Sequence, residues 1–291
     1  MTLYPFRYAL LVAVVVFTVC CPLLAQVRSR NVPIANDYVA VWTSPAPAEE
    51  TGGPVSMIQL PAGRLIVTFT NWRRVEGKQV TTDKVYTSDD HGRTWDHRAD
   101  VPINRQRVFQ AGKAVYMLGG QERLLVSRSD DEGATWSDPV PITDDGPWGG
   151  EPINQLYTNG RVYIVNERTT VADVRGWPAA VYAPVVMSAP VDADLTRRDA
   201  WTFSNILSFR DVRAKYGDPN LIGVPFYAEG FYAPDNKDDK RPMYEIGWTE
   251  PNLVQIVDPE HVWFDPAGHT FHLLLRAHTG STNLACLAKA I

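Results

Sequence analysis

Two acidic residues and one arginine occupy positions from which they could act on a bound ligand. Glu250 begins an apolar segment that runs to Ile256, and Arg276 ends the next apolar segment. Glu151 lies beside two glycines, where the chain can bend toward a ligand. Two carboxylates can cleave a glycosidic bond together, and a planar guanidinium binds a carboxylate through two parallel hydrogen bonds. These residue types indicate chemistry on a sugar, with Glu151 and Glu250 as one candidate pair of catalytic carboxylates.

Two segments place an acid among flexible or aromatic residues. Residues 148–154 bring Glu151 and Asn154 close to two glycines, and residues 227–232 place Glu229 between aromatic side chains. Aromatic rings with a few polar groups suit a sugar-binding pocket. The same residues also suit packing between strands, so both interpretations stay open.

The elements that must position these groups are indicated by an eight-residue motif that occurs twice. Residues 88–95 and residues 129–136 share the pattern S-x-D-x-G-x-T-W, and their first residues, 88 and 129, lie 41 positions apart. In such a pattern serine and aspartate stabilise a tight turn, glycine provides a positive φ, and threonine and tryptophan return to a strand. A repeat of this length predicts a β-propeller with one repeat per blade.

The rest of the sequence agrees with an all-β domain over residues 37–291. Short apolar segments alternate with turn residues, and residues 56–70 predict two strands around a Pro-Ala-Gly turn. A third period keeps only Trp201 of the motif. We count about four blades and the start of another, and residues 283–291 predict a strand in mid-blade. Because a propeller must close its ring, we expect the chain to be incomplete at its C-terminus.

The N-terminal segment predicts export. Arg7 is the only charged side chain among residues 1–25, and the run from Tyr8 to Ala25 is rich in leucine, valine and alanine. This pattern is typical of a signal peptide, with an uncleaved membrane anchor as the alternative. Removal of residues 1–25 leaves Cys286 alone, so we expect no intramolecular disulfide. The predicted location is therefore secreted or periplasmic.

Charge and composition exclude several classes of function. The net charge is −5 and no basic block occurs, so we expect no nucleic-acid binding. The six histidines have no supporting ligands at zinc-like spacing, so neither a metal nor another cofactor is predicted. A glycan remains as the expected partner, with a membrane contacted only through an uncleaved N-terminal segment. No pattern indicates an oligomeric state.

The two copies of the motif resemble the Asp box, or BNR repeat, of the sialidase (neuraminidase) superfamily. The segment from Glu250 to Ile256, followed by Arg276, resembles a second sialidase pattern, E-x-x-x-V-x-L and then an apolar strand that ends in arginine. The resemblance implies a six-bladed, sialidase-like β-propeller. It also implies that Glu250 activates a tyrosine nucleophile, that Arg276 binds the carboxylate of sialic acid, and that Asp83 is the catalytic acid.

The sequence departs from the sialidase pattern in two places. Residues 52–57 contain no arginine where the family has an Arg-Ile-Pro strand, and no tyrosine follows Arg276. The resemblance implies an exo-sialidase-like glycoside hydrolase that acts on sialylated extracellular or periplasmic glycans. The alternative function is that of a non-catalytic Asp-box propeller that binds glycans or a protein partner.

Overall fold

The regular secondary structure of the described residues is almost entirely β-strand. Residues 40–291 form one compact unit. The predicted signal peptide, Glu151 and residues 227–232 lie outside the described residues. Among the described residues, no helix has the length and apolar character needed to cross a membrane. The computed structural model describes residues 38–144, 146, 148–149, 154–170, 182–208, 211, 247–278 and 283–290.

The first two sheets each contain four antiparallel strands in sequence order. The strands of the first sheet are β1 (Glu50–Gln59), β2 (Leu65–Val75), β3 (Lys78–Ser88) and β4 (Asp96–Val101). Those of the second sheet are β5 (Arg107–Ala111), β6 (Ala114–Gly119), β7 (Leu125–Ser129) and β8 (Val140–Pro141).

Two further sheets follow along the chain. In the third sheet β9 pairs with β11 outside the sequential order, and the fourth sheet is β14-β15-β16. The strands of the third sheet are β9 (Trp148–Gly149), β10 (Gln155–Thr158), β11 (Arg161–Thr169), β12 (Tyr182–Pro190) and β13 (Thr202–Phe203). Those of the fourth are β14 (Gly247–Val254), β15 (Phe271–His278) and β16 (Asn283–Ala290). A 3-10 turn, Arg198–Ala200, precedes β13.

This succession of sheets has the arrangement of propeller blades. Each sheet is formed from consecutive strands, and the first strands of the first two sheets, β1 and β5, contact each other. The all-β expectation is therefore confirmed. The two strands predicted over residues 56–70 are confirmed as β1 and β2, with the turn between them at Pro61–Gly63.

The cores lie between consecutive sheets, so a middle sheet is buried on both faces. All six residues of β6 are buried. Val115 and Met117 pack with the first sheet, whereas Tyr116 and Leu118 pack with the third sheet. Because side chains alternate along a strand, apolar residues at every position of β6 fill both interfaces.

Both copies of the motif form the turn between the third and fourth strands of their sheets. In the first copy Asp90 accepts hydrogen bonds from the Thr94 backbone N–H at 2.8 Å and the Thr94 hydroxyl at 2.7 Å. These bonds lower the pKa of Asp90 to about 2. Gly92 and Gly133 have φ of +83° and +86°, as the turn requires. The Trp95 indole N–H donates to the Gly92 carbonyl at 3.0 Å, which holds the ring over the turn.

The third sheet lacks the motif, but it also holds a tryptophan through a hydrogen bond from the indole N–H. The Trp201 indole N–H donates to the Leu195 carbonyl at 2.9 Å, and the ring is buried in the core between the second and third sheets. Trp201 lies directly before β13, as Trp95 lies directly before β4. The turns stabilise their sheets, and the Asp90 and Asp131 carboxylates are used inside the motif turns.

Replacing Gly133 with alanine is expected to destabilise the protein more than replacing Gly92, its counterpart in the first motif. Both substitutions place a Cβ at positive φ, which costs about 1–2 kcal/mol. At Gly133 the new Cβ would also lie 2.8 Å from the buried Ile66 Cδ1, whereas at Gly92 the nearest atom is 3.5 Å away. We expect an additional loss of about 1 kcal/mol or more for Gly133→Ala in urea unfolding. Equal losses for the two variants would contradict this contact between sheets.

Candidate functional site

Glu250 lies in the middle of β14, at an irregular step of the strand. The pairing of β14 with β15 shifts register between Thr249 and Asn252, and Glu250 has a φ of +56°. This left-handed conformation is unfavourable for a residue that carries a Cβ, so neighbouring groups must hold it. Arg276 is the β15 partner of Thr249, which places its side chain beside Glu250.

Glu250 and Arg276 form an ion pair that solvent can reach. Arg276 Nη2 lies 2.6 Å from Glu250 Oε1, and the two side chains are 30% and 48% exposed, respectively. An accessible pair of this kind contributes little to stability, since water screens both charges. The contact therefore brings together the two residues that the sequence analysis singled out and leaves them open to a ligand.

A second carboxylate, Glu167 on β11, holds the backbone of Glu250 in place. Glu167 is buried, and its Oε1 accepts a hydrogen bond from the Glu250 backbone N–H at 2.5 Å. The Glu167 N–H is in turn bonded to the Asn166 side-chain oxygen at 2.8 Å. A buried carboxylate thus links the third sheet to the fourth and fixes the backbone of Glu250 in its left-handed conformation.

Sequence reasoning missed Glu167, although its strand carried a signal. Tyr163 and Val165, at two-residue spacing before it, pack toward the fourth sheet. Val162 and Ile164 pack toward the second sheet. The alternation of strand side chains therefore directs Glu167 toward the fourth sheet, where an apolar residue would be expected.

Asp83 lies apart from this group, in the first sheet. It is on β3, paired with Thr70 on β2 and Val101 on β4, and its side chain is completely buried. Burial raises the pKa of Asp83 to about 8, and the Thr70 hydroxyl opposes the shift. The carboxyl is therefore protonated at neutral pH. No described contact joins it to Glu250 or Arg276.

The predicted pocket segment around residues 148–154 has a structural role where it can be described. The Asn154 amide donates to the Leu253 carbonyl at 2.8 Å and accepts from the Leu253 N–H at 2.9 Å. These two hydrogen bonds join the third sheet to the fourth. The Arg168 guanidinium lies 5.6 Å from the Trp148 ring centre, on the opposite face of β11 from Glu167.

The described ranges offer no set of side chains that could bind a metal ion. No group of three or more histidine, cysteine, aspartate or glutamate side chains there is arranged to hold an ion. The candidate site therefore consists of Glu167, Glu250 and Arg276, which can offer one buried carboxylate, one accessible carboxylate and one guanidinium.

Comparison with known proteins gives similarity in fold. No protein-family model and no curated protein matches the sequence. The α-L-arabinofuranosidase from Lactobacillus brevis is 12% identical with a TM-score of 0.50, and the match covers 86% of this chain and 76% of that chain. At this identity the similarity concerns the fold alone.

Other solved structures match with lower TM-scores. The α-L-arabinanase from Penicillium chrysogenum, in complex with arabinobiose, is 15% identical with a TM-score of 0.46, over 82% of this chain and 62% of that chain. A leech intramolecular trans-sialidase is 13% identical with a TM-score of 0.42, over 83% of this chain and 32% of that chain. The structure of a protein of unknown function from Dyadobacter fermentans also matches, and this match covers 51% of that chain.

Replacing Asp83 with asparagine is expected to flatten the pH dependence of the free energy of unfolding. The pKa of Asp83 rises from 3.8 to about 8 on folding, so its contribution to stability is complete below pH 3.8 and is lost as the pH rises to about 8. Asparagine resembles the protonated carboxyl but cannot ionise. Urea unfolding should show Asp83→Asn more stable than the parent by about 4–5 kcal/mol at pH 8, relative to the difference at pH 4.

The control for this measurement is Asp90→Asn. The pKa of Asp90 is lowered to about 2, so its contribution is present above pH 3.8 and is lost as the pH falls toward 2. The two variants should therefore change the pH profile in opposite directions. A profile for Asp83→Asn that runs parallel to the parent would contradict a neutral, buried Asp83.

Replacing Glu167 with alanine is expected to destabilise the protein more than replacing it with glutamine. Alanine removes the acceptor of the Glu250 N–H, which costs about 1–2 kcal/mol beyond the lost packing. Glutamine keeps a side-chain oxygen at nearly the same position. The measurement is urea unfolding of both variants at pH 7. Equal losses would show that acceptance of this N–H does not stabilise the fold.

Proposed function

We propose that this protein is an exo-sialidase-like glycoside hydrolase of the Asp-box propeller type, exported to act on extracellular or periplasmic glycans. The observation that carries the proposal is the 2.6 Å contact between Arg276 and Glu250. It joins a guanidinium that can bind a sugar carboxylate to a carboxylate that can activate a nucleophile. The Lactobacillus protein of similar fold is an arabinofuranosidase, but a shared fold does not specify the reaction.

Binding of a sialoside would change the state of this pair. The substrate carboxylate competes with Glu250 for Arg276 and can make two parallel hydrogen bonds with the guanidinium. Glu250 is then released from its positive partner and can act as a general base. A base of this kind can take the proton of a tyrosine hydroxyl, which as a neutral nucleophile is not repelled by an anionic sugar. Glu167 holds the backbone of Glu250 during this exchange, so only side chains need to move.

Asp83 remains the proposed acid on the basis of its protonation state. A pKa of about 8 keeps the carboxyl protonated at neutral pH, as protonation of a leaving group requires. Because Asp83 is completely buried, the residues that cover it must move before it contacts a substrate. Asp83 therefore carries less of the proposal than Glu250 and Arg276.

The position of Glu167 favours a second candidate, a glycosidase that acts on neutral sugars with two carboxylates. Glu167 and Glu250 lie on adjoining sheets and are joined through a side-chain-to-backbone hydrogen bond. Retaining enzymes of this class hold their carboxyl groups about 5–5.5 Å apart. Glu167 is the second carboxylate in this scheme, and Glu151 remains the other candidate for that role. In this reaction Arg276 would have no substrate carboxylate to bind.

Activity on two fluorogenic substrates separates these functions. For the full-length gene product we expect release from a sialoside, and we expect Arg276→Ala to lower kcat/KM for the sialoside by about 100-fold or more, because the guanidinium that binds the sugar carboxylate is removed. Arg276→Lys should recover only part of this loss, since lysine cannot bind the carboxylate in the same planar manner. Arg197→Ala is the matched control, because Arg197 forms an exposed 2.6 Å pair with Asp199 outside the site.

The outcomes distinguish the proposals. Release from an α-L-arabinofuranoside that Arg276→Ala leaves unchanged, without release from the sialoside, would replace the first proposal by the second. Release from neither substrate would favour the non-catalytic glycan-binding propeller. Release from the sialoside that is equal in the parent and in Arg276→Ala would refute the role of Arg276.

A further inference from the structure

A cleft of about 780 Å³ lies at the Arg161 end of β11, whereas Glu167, which bonds Glu250, is six residues further along the same strand. It is formed where β1, β5 and β10, one strand from each of three consecutive sheets, come to an end. Gln59, the last residue of β1, pairs with Leu65, and Leu65 pairs with Ser88 at the first motif turn. The cleft therefore opens at the end of the sheets that carries the motif turns. The proposed catalytic function does not use it.

Tyr157 provides a fixed aromatic surface in this cleft. Its hydroxyl donates to the Gln110 carbonyl at 2.7 Å, across the gap between β10 and β5. Burial of this end of the side chain raises the pKa of Tyr157 to about 12, so the phenol remains protonated and keeps its hydrogen bond. The residue as a whole is 48% exposed, which leaves ring surface available to a ligand. The ring is thus held in place before any ligand arrives.

The polar groups around Tyr157 are neutral amides. Gln59, Gln110 and Gln155, one from each of the three sheets, line the cleft. An amide offers both a donor and an acceptor, which matches the hydroxyl groups of a sugar. No acidic residue is among the lining residues.

The one charged residue of the lining is already engaged. The Arg161 guanidinium donates to the Ser188 hydroxyl at 3.1 Å, the Ser188 carbonyl at 3.0 Å and the Thr202 hydroxyl at 3.0 Å. These bonds direct the guanidinium toward β12 and β13 and satisfy much of its capacity. The cleft therefore offers little positive charge to an anionic ligand. A neutral ligand with many hydroxyls can instead contact the Tyr157 ring and hydrogen-bond with the glutamine amides.

We propose that this cleft is a binding site for neutral oligosaccharides, separate from the Glu250–Arg276 site. A sugar ring packs its apolar face on Tyr157, and its hydroxyls bond with the glutamine amides. Met57, which is 58% exposed beside the cleft, adds apolar surface next to the ring. In this arrangement the protein holds a neutral part of a glycan at one end of its sheets, independently of any reaction at the other end.

The test is saturation-transfer NMR on the full-length gene product with three neutral probes, lactose, cellobiose and arabinobiose. We expect at least one probe to bind with a millimolar Kd. Tyr157→Ala should weaken that binding by about tenfold or more, and Gln59→Ala should weaken it by a smaller factor. Tyr157→Phe is the matched control, since it keeps the ring and should bind within about threefold of the parent. Thermal unfolding of each variant checks that the fold is retained.

Binding at this cleft and activity at the other site are measured separately. Arg276→Ala should leave the binding of the neutral probe unchanged, whether or not the protein cleaves a sialoside. The proposal is overturned if none of the three probes binds. It is also overturned if Tyr157→Ala binds as the parent does, or if Arg276→Ala abolishes binding, because the sugar would then occupy the Glu250 site.

Discussion

Each described sheet of this protein buries its faces against the next sheet along the chain, and this constraint sets where every functional group lies. Three cores lie between consecutive sheets, from the first to the fourth. A strand such as β6 is apolar at every position because it faces a core on each side. A polar group between two sheets therefore needs a partner on the facing sheet, since water is excluded there. The candidate site is built from such partners.

The interface between the third and fourth sheets uses polar contacts of this kind. Asn154 pairs with the Leu253 backbone through two hydrogen bonds, and Glu167 accepts the N–H of Glu250. The first contact aligns β10 with β14, and the second holds Glu250 in a left-handed conformation that it would not adopt alone. Arg276 then meets Glu250 at the solvent-exposed rim. The site is accessible to a ligand, while the residue that positions it is buried.

The turns were predictable from the sequence, whereas the contacts between sheets were not. The hydrogen bonds that fold each turn at residues 88–95 and 129–136 join residues of the motif itself, so a local pattern was enough. Glu250 and Arg276 were found through a family resemblance, and the structure brings them into contact. Glu167 lies 83 positions from Glu250, and only the facing of two sheets joins them. The burial of Asp83 likewise depends on three neighbouring strands, which its local sequence does not reveal.

The role of Arg276 in binding is tested most directly by a crystal structure of the full-length gene product soaked with free sialic acid. We expect the sugar carboxylate to take the place of the Glu250 side chain on Arg276 and to contact both terminal nitrogens of the guanidinium. The Glu250 backbone should keep its φ near +56° and its hydrogen bond to Glu167. A sugar bound elsewhere on the protein, with the Glu250–Arg276 pair intact, would contradict this role of Arg276.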